Sequence, residues 1–68
     1  MKLSARNVLK GTVIEVTKGA VNAIVRIDIG GAVVSSSITI SAVEELGLTV
    51  GEEAYAVIKA SDVMIGRD

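Results

Sequence analysis

The stretch VNAIVRIDIGGAVVSSSITI, residues 21–40, alternates apolar and polar side chains on both sides of a glycine pair. In residues 21–29 every odd position is apolar, and a period of two is typical of a strand that buries one face. Gly30-Gly31 favours a two-residue hairpin turn, because glycine readily adopts positive φ. Residues 32–40 then resume the alternation, with one face formed by Ala32, Val34, Ile38 and Ile40. The stretch therefore predicts a β-hairpin.

The flanking segments predict further elements. Upstream, residues 9–17 form a predicted strand that ends in a hairpin turn at Lys18-Gly19. Downstream, SAVEELG at 41–47 predicts a helix of about two turns, with Ser41 as N-cap, Glu44 completing a capping box and Gly47 at the C-terminal end. Residues 49–52 form a turn around Gly51, and EAYAVIKA at 53–60 predicts another strand. SDVMI at 61–65 is a candidate fifth strand.

This element order predicts the fold class. Three strands, a short helix and two further strands indicate an all-β, OB-like, five-stranded Greek-key barrel with the helix between strands 3 and 4. An SH3-like barrel is the nearest alternative, and the helix argues against it. At 68 residues, the chain forms one domain, residues 1–68.

Composition predicts an oligomer. Half of the residues are apolar, yet Tyr55 is the only aromatic, and there is no cysteine or histidine. In so short a chain, burial at ~25 cal/mol per Å² roughly cancels an ordering cost of ~1.5 kcal/mol per residue. Disulfides and a structural zinc are excluded, so association is the remaining common means of stabilisation. A mean hydropathy of +0.59 also favours apolar surface buried between subunits.

Several function classes find little support. The chain offers no activated nucleophile, and the pairs Glu44-Glu45 and Glu52-Glu53 are interpreted as solvated surface carboxylates, so we expect no catalysis. Soft-metal ligands are missing. A net charge of −1 and a single aromatic argue against nucleic acid, and neither a polybasic stripe nor an apolar leader indicates a membrane. The expected location is the cytoplasm.

The remaining chemistry is that of isolated cations, hydroxyls and amides near strand ends. Arg6 lies between Ser4 and Asn7, and Lys59 lies two residues before Ser61, while Lys18-Gly19 occupies a turn. Such groups donate hydrogen bonds and suit an anion. Each one alone is more often simply solvated, so the residue types leave both interpretations open.

Four segments carry a resemblance to a known family: SARNVLKG at 4–11, KGAV at 18–21, SAVEELG at 41–47 and VIKASDVMI at 57–65. Together they resemble the molbindins, small molybdate- and tungstate-binding proteins made of a single Mop domain within the wider TOBE group. The similarity runs essentially from end to end. The pairing of SARN with the later KAS segment is its most specific part.

The resemblance implies an OB-like barrel that assembles as a homohexamer, a trimer of dimers with exchanged strands. It implies binding and storage of molybdate or tungstate at sites between subunits, with no cofactor and no catalysis. Carried over by motif, the oxyanion-binding residues are Ser4, Arg6, Lys59, Ala60 and Ser61. Further candidates are Asn7, Lys18, Gly19, Ala20, Val21 and Thr39. A single-stranded nucleic-acid binder and a purely structural or regulatory oligomerisation module are the alternatives.

Overall fold

The computed structural model describes every residue from Met1 to Asp68. Four strands and one α-helix follow each other along the chain: β1 (Asn7–Lys18), β2 (Asn22–Asp28), β3 (Val33–Thr39), α1 (Ile40–Leu46) and β4 (Glu53–Ile58). A short 3₁₀ turn, Ala60–Asp62, ends the regular structure. The all-β fold class, with its short helix between the third and fourth strands, is confirmed.

The four strands form one antiparallel sheet in the order β3-β2-β1-β4. Three consecutive strands are joined by short connections, and the fourth returns to lie beside the first, which is the Greek-key arrangement. Strand β1 serves two partners: residues 7–12 pair with β4, and residues 12–18 pair with β2. A β-bulge between Val13 and Glu15 bends β1 where it changes partner, as bulges do in small barrels.

The alternation seen in the sequence places the core. Ala23, Val25 and Ile27 of β2 are buried, and Val13, Val43 and Ala56 complete the buried set. Six buried residues out of 68 make a thin core. The Gly30-Gly31 turn is confirmed, with φ of +86° and +95°, and the Asp28 carboxylate accepts a hydrogen bond from the Gly30 amide at 2.9 Å.

The start of the helix differs from the prediction. The N-cap is Thr39, not Ser41: the Thr39 hydroxyl accepts a hydrogen bond from the Ala42 amide at 3.1 Å. The helix follows β3 with no intervening loop, so the last strand residue, still extended at ψ 152°, takes the capping position. The predicted box with Glu44 is therefore not formed. Gly47 ends the helix in the left-handed conformation, as predicted.

Two other expectations are corrected. The first hairpin loop is Gly19–Val21 rather than Lys18-Gly19, because Lys18 still pairs with Ala23. Residues 61–65 form no fifth strand: a 3₁₀ turn occupies 60–62, and residues 63–65 pair with no strand of the sheet. A strand needs such a neighbour to satisfy its backbone groups. No helix in the structure has the length and apolar character needed to span a membrane.

Candidate oxyanion-binding site

The SARN and KAS segments lie together at one end of the sheet. Asn7 opens β1 and Ile58 closes β4, and the antiparallel register sets these two residues opposite each other. The residues before Asn7 and those after Ile58 therefore leave the sheet side by side. We call residues 4–7 and 59–61 the Arg6 cluster. The register thus sets side by side the two segments that carry the five residues the resemblance names first, although the segments lie more than 50 positions apart in the sequence.

The Arg6 cluster is open to solvent within one chain. Ser4, Arg6 and Lys59–Ser61 are all exposed. The structure contains two salt bridges, Lys10–Glu53 and Arg26–Glu15, and neither involves a cation of this cluster. The Arg6 guanidinium makes only a long contact of 3.5 Å, from Nη1 to the Leu3 carbonyl. Two unpaired cations and two hydroxyls are therefore free to bind an external anion.

The 3₁₀ turn shapes the KAS half of the cluster. Lys59 precedes the turn in an extended conformation, φ −64° and ψ 140°, and its side chain caps no amide. The amide of Asp62 donates to the Lys59 carbonyl at 2.9 Å. None of the side-chain hydrogen bonds or salt bridges of the structure involves the Lys59 ammonium. Asp62 is the one carboxylate on this turn, so the segment itself is electrically balanced.

Apart from Asn7, which belongs to the Arg6 cluster, the remaining candidates form a second group at the opposite end of β1. The register sets Asn22 against Thr39, so Thr39 lies beside the loop that follows Lys18. We call residues 18–21 and Thr39 the Lys18 cluster. The Gly19 amide donates to the Asn22 carbonyl at 2.8 Å, and the Val21 carbonyl accepts from the Ile40 amide at 2.9 Å. The loop donors not engaged this way are the amides of Ala20 and Val21.

Thr39 keeps a donor despite its capping role. Its oxygen accepts the Ala42 amide, which leaves the hydroxyl proton to be donated elsewhere. Strand β1 spans 12 residues from one cluster to the other, and 11 steps of ~3.3 Å would cover ~36 Å in a straight strand and somewhat less in this bulged one. That separation approaches the longest dimension of the molecule, 34 Å. The two clusters of one chain do not meet.

Sequence reasoning missed one feature of the site. The Asn7 side chain donates from Nδ2 to the Ile58 carbonyl at 3.2 Å, a partly buried bond between the two halves of the Arg6 cluster. No local signal in the sequence announces it, because the partner is 51 residues away. Only the register of β1 against β4 reveals it.

Fold and clusters together define a small, OB-like, curled Greek-key sheet with two groups of exposed hydrogen-bond donors at opposite ends. The chain belongs to the TOBE domain family, whose model matches residues 3–65. Over 67 residues it is 61% identical to the probable molybdenum-pterin-binding protein of Haemophilus influenzae, with 97% of each chain covered.

Solved structures show the same fold. A molybdate-binding protein from Sporomusa ovata matches with a TM-score of 0.93 at 37% identity, covering 98% of this chain and all of that one. The cytoplasmic molybdate-binding protein ModG, with molybdate bound, matches with a TM-score of 0.89 at 51% identity. That match covers 94% of this chain and 46% of the ModG chain. The resemblance inferred from the SARN and KAS segments is therefore confirmed.

Proposed function

We propose that this protein binds molybdate or tungstate in the cytoplasm and stores it, without catalysis, at sites between the chains of a homo-oligomer. The observation that supports the proposal is the Arg6 cluster: the register of β1 against β4 sets the SARN and KAS segments side by side, and their two cations are exposed and form no salt bridge. The family relationship supports the identity of the ligand, since relatives that match nearly the whole chain are described as molybdate-binding or molybdenum-pterin-binding proteins.

The donor set suits a tetrahedral dianion. Arg6 and Lys59 supply charge-assisted hydrogen bonds, which are the stronger kind, and Ser4 and Ser61 supply neutral donors. Ala60 lies between Lys59 and Ser61 and brings no bulk, so an oxyanion can approach the backbone there. Two cations match the charge of a dianion without creating a broad positive field. Such a site selects by fit more than by net charge.

Enclosure of the anion requires a second chain. The residues of the cluster are exposed in one chain, and an exposed ion pair is worth only ~0–1 kcal/mol. A neighbouring chain that covered the cluster would exclude water and strengthen each of these bonds. The distance between the two clusters leads to the same proposal, because any site that used both would draw them from different chains.

The accessible surface supports association. A compact monomer of this mass exposes about 4,000 Å². This chain exposes 5190 Å². The excess of about 1,200 Å² is comparable to the ~800 Å² that each partner contributes to an interface of standard size. The isolated chain is thus more open than a self-sufficient monomer of its size.

Exchanged strands would account for part of that surface. The edge strands β3 and β4 are not joined, and an apolar groove of about 680 Å³ lies between them, lined in part by Val34, Ile38 and Ile58. The C-terminal segment Val63-Met64-Ile65 is apolar and unpacked, with Met64 93% and Ile65 90% exposed. A homohexamer built as a trimer of dimers would cover both features.

Equilibrium dialysis against sodium molybdate, with elemental analysis of the dialysed protein, tests the binding itself. We expect retained molybdenum in a fixed ratio to the chain and a rise in melting temperature with the anion. Salt-sensitive retention of single-stranded nucleic acid in place of the anion would favour the alternative binding module. If the protein responds neither to the anion nor to nucleic acid, the purely structural module is favoured.

Subunit mixing tests whether the sites lie between chains. Lys59→Ala and Lys18→Ala chains, one substituted in each cluster, are each purified, then denatured and refolded together. If Lys59 and Lys18 of one site come from different chains, random co-assembly into a symmetric oligomer restores about a quarter of the sites. If both residues come from the same chain, no site is restored. Each variant refolded alone serves as the matched control.

A further inference from the structure

The Asn7 side chain makes a hydrogen bond unlike the others in the molecule. Its amide nitrogen donates to the Ile58 carbonyl at 3.2 Å in a partly buried position, across 51 residues of sequence. The other four side-chain hydrogen bonds are exposed and connect residues two or three positions apart. Of the five side-chain hydrogen bonds it is the one that joins distant parts of the chain, and unlike the Lys10–Glu53 salt bridge between the same two strands it is partly buried.

The bond lies where the two segments of the Arg6 cluster join the sheet. Asn7 follows Arg6 directly and is the first residue of β1, while Ile58 precedes Lys59 and is the last residue of β4. Beyond this pair, neither segment belongs to the sheet. The Asn7–Ile58 bond is therefore the last cross-link before the chain carries Arg6 and Lys59 out to solvent.

We propose that Asn7 is a positioning residue of the oxyanion site, one that sets the separation of Arg6 and Lys59 without touching the anion. The inference rests on the proposed function, since it requires that the Arg6 cluster binds the oxyanion. Asn7 commits one of its two amide hydrogens to the Ile58 carbonyl in a partly buried bond, which holds the side chain against β4, and its own carbonyl oxygen is an acceptor that an anion repels. A site that selects by fit needs its donors held within about 0.5 Å, which a cross-link at this point provides.

The primary test replaces Asn7 by leucine, a side chain of similar size with no donor. Molybdate titrations on the assembled protein should show an affinity loss of about tenfold, the scale seen when a residue that orients a ligand-binding group is removed. The preference for molybdate over sulfate should narrow as well, because loosened donors adapt to the smaller anion. Thr12→Val, an exposed change in the middle of β1, is the matched control and should bind like the parent.

A double-mutant cycle separates positioning from direct contact. If Asn7 acts through the placement of Lys59, Asn7→Leu should lower the molybdate affinity little when Lys59 has already been replaced by alanine. Hydrogen exchange gives a readout that needs no ligand: the amides of Asp62 and Val63, which donate to the Lys59 and Ala60 carbonyls at 2.9 and 3.3 Å, should exchange faster in Asn7→Leu than in the parent. If the two substitutions lower the molybdate affinity independently, so that their fold-losses multiply, and the amide exchange is unchanged, then Asn7 contacts the anion. That result would overturn the positioning role.

The outcomes also separate this inference from the proposed function. A parent protein that binds no molybdate refutes the function. A parent that binds, with Asn7→Leu binding equally well and discriminating equally well, refutes only the role of Asn7. If Asn7→Leu fails to assemble, Asn7→Ser, which is too short to span to Ile58, is measured in the same way with the same expectations.

Discussion

Gly11 of β1 lies directly against the backbone of Asp28 at the end of β2. A Cβ atom built on Gly11 would stand 2.4 Å from the Asp28 carbonyl oxygen and 2.6 Å from Cγ2 of Ile27. The approach occurs where β1 passes from its pairing with β4 to its pairing with β2. Glycine at this position lets one strand serve both neighbours, and so lets the sheet curl.

Gly11→Ala should therefore destabilise the protein by ~1–3 kcal/mol, the usual cost of forcing a methyl group into a packed site. Chemical denaturation of parent and variant measures the difference. Gly66→Ala is the matched control, because nothing lies within 4 Å of a Cβ there, and it should leave the free energy of unfolding unchanged. If the Gly11 variant is as stable as the parent, the backbone of β2 shifts at this point to make room for the methyl group, and the expectation is wrong.

Thr39→Ala should cost ~1 kcal/mol of stability, because it removes the oxygen that caps the Ala42 amide. Ser41→Ala should be neutral within ~0.5 kcal/mol, since Ser41 is exposed inside the helix and alanine favours helix. Thermal melts of the two variants decide between Thr39 and Ser41 as the cap. A larger loss from Ser41→Ala would contradict the structure.

The protein in solution should form a particle of about six chains and have no stable folded monomer. Static light scattering should give a mass of about 42 kDa, six times the chain mass of 7.0 kDa. We expect association because the single chain has a thin core and exposes more surface than a compact monomer of its mass. A folded, thermally stable monomer at micromolar concentration would contradict this expectation.

Lys59→Ala should weaken molybdate binding by ~1.5–3 kcal/mol, the range for a hydrogen bond to a charged group, and leave the oligomer assembled. Isothermal titration calorimetry gives the affinity, and light scattering confirms the assembly. Lys10→Ala is the control: Lys10 pairs with Glu53 on the surface, outside both clusters, and its loss should not change binding. Unchanged affinity in Lys59→Ala would make Lys59 an ordinary solvated cation.

Competition between anions should reveal selection by size. Millimolar sulfate or phosphate should not displace bound molybdate, because the shorter bonds of these anions leave donors unpaired at ~1–3 kcal/mol each. Molybdate and tungstate, which are nearly alike in size, should compete almost evenly. Binding should also respond weakly to added salt, unlike binding that relies on net charge. Sulfate that binds as tightly as molybdate would leave only a generic anion patch.

The sequence by itself determined the elements whose signals are local. The period of two in residues 21–29 and the Gly30-Gly31 pair act within a few residues, so the second hairpin was predictable. Gly47 was predictable as the helix end for the same reason. The SARN and KAS motifs also identified the family and the residues of the candidate site.

Only the tertiary structure decided the relationships that join distant residues. The register of β1 against β4 brings Lys59 beside Arg6 and sets the Asn7–Ile58 bond, and no pattern within either segment encodes that pairing. Three other features depend equally on how neighbouring elements pack. They are the bulge after Val13, the contact at Gly11 and the use of Thr39 as the helix cap in place of the expected Ser41. Residues 61–65 have strand-like composition, yet they form no strand in one chain, because a strand exists only where a neighbour satisfies its backbone hydrogen bonds.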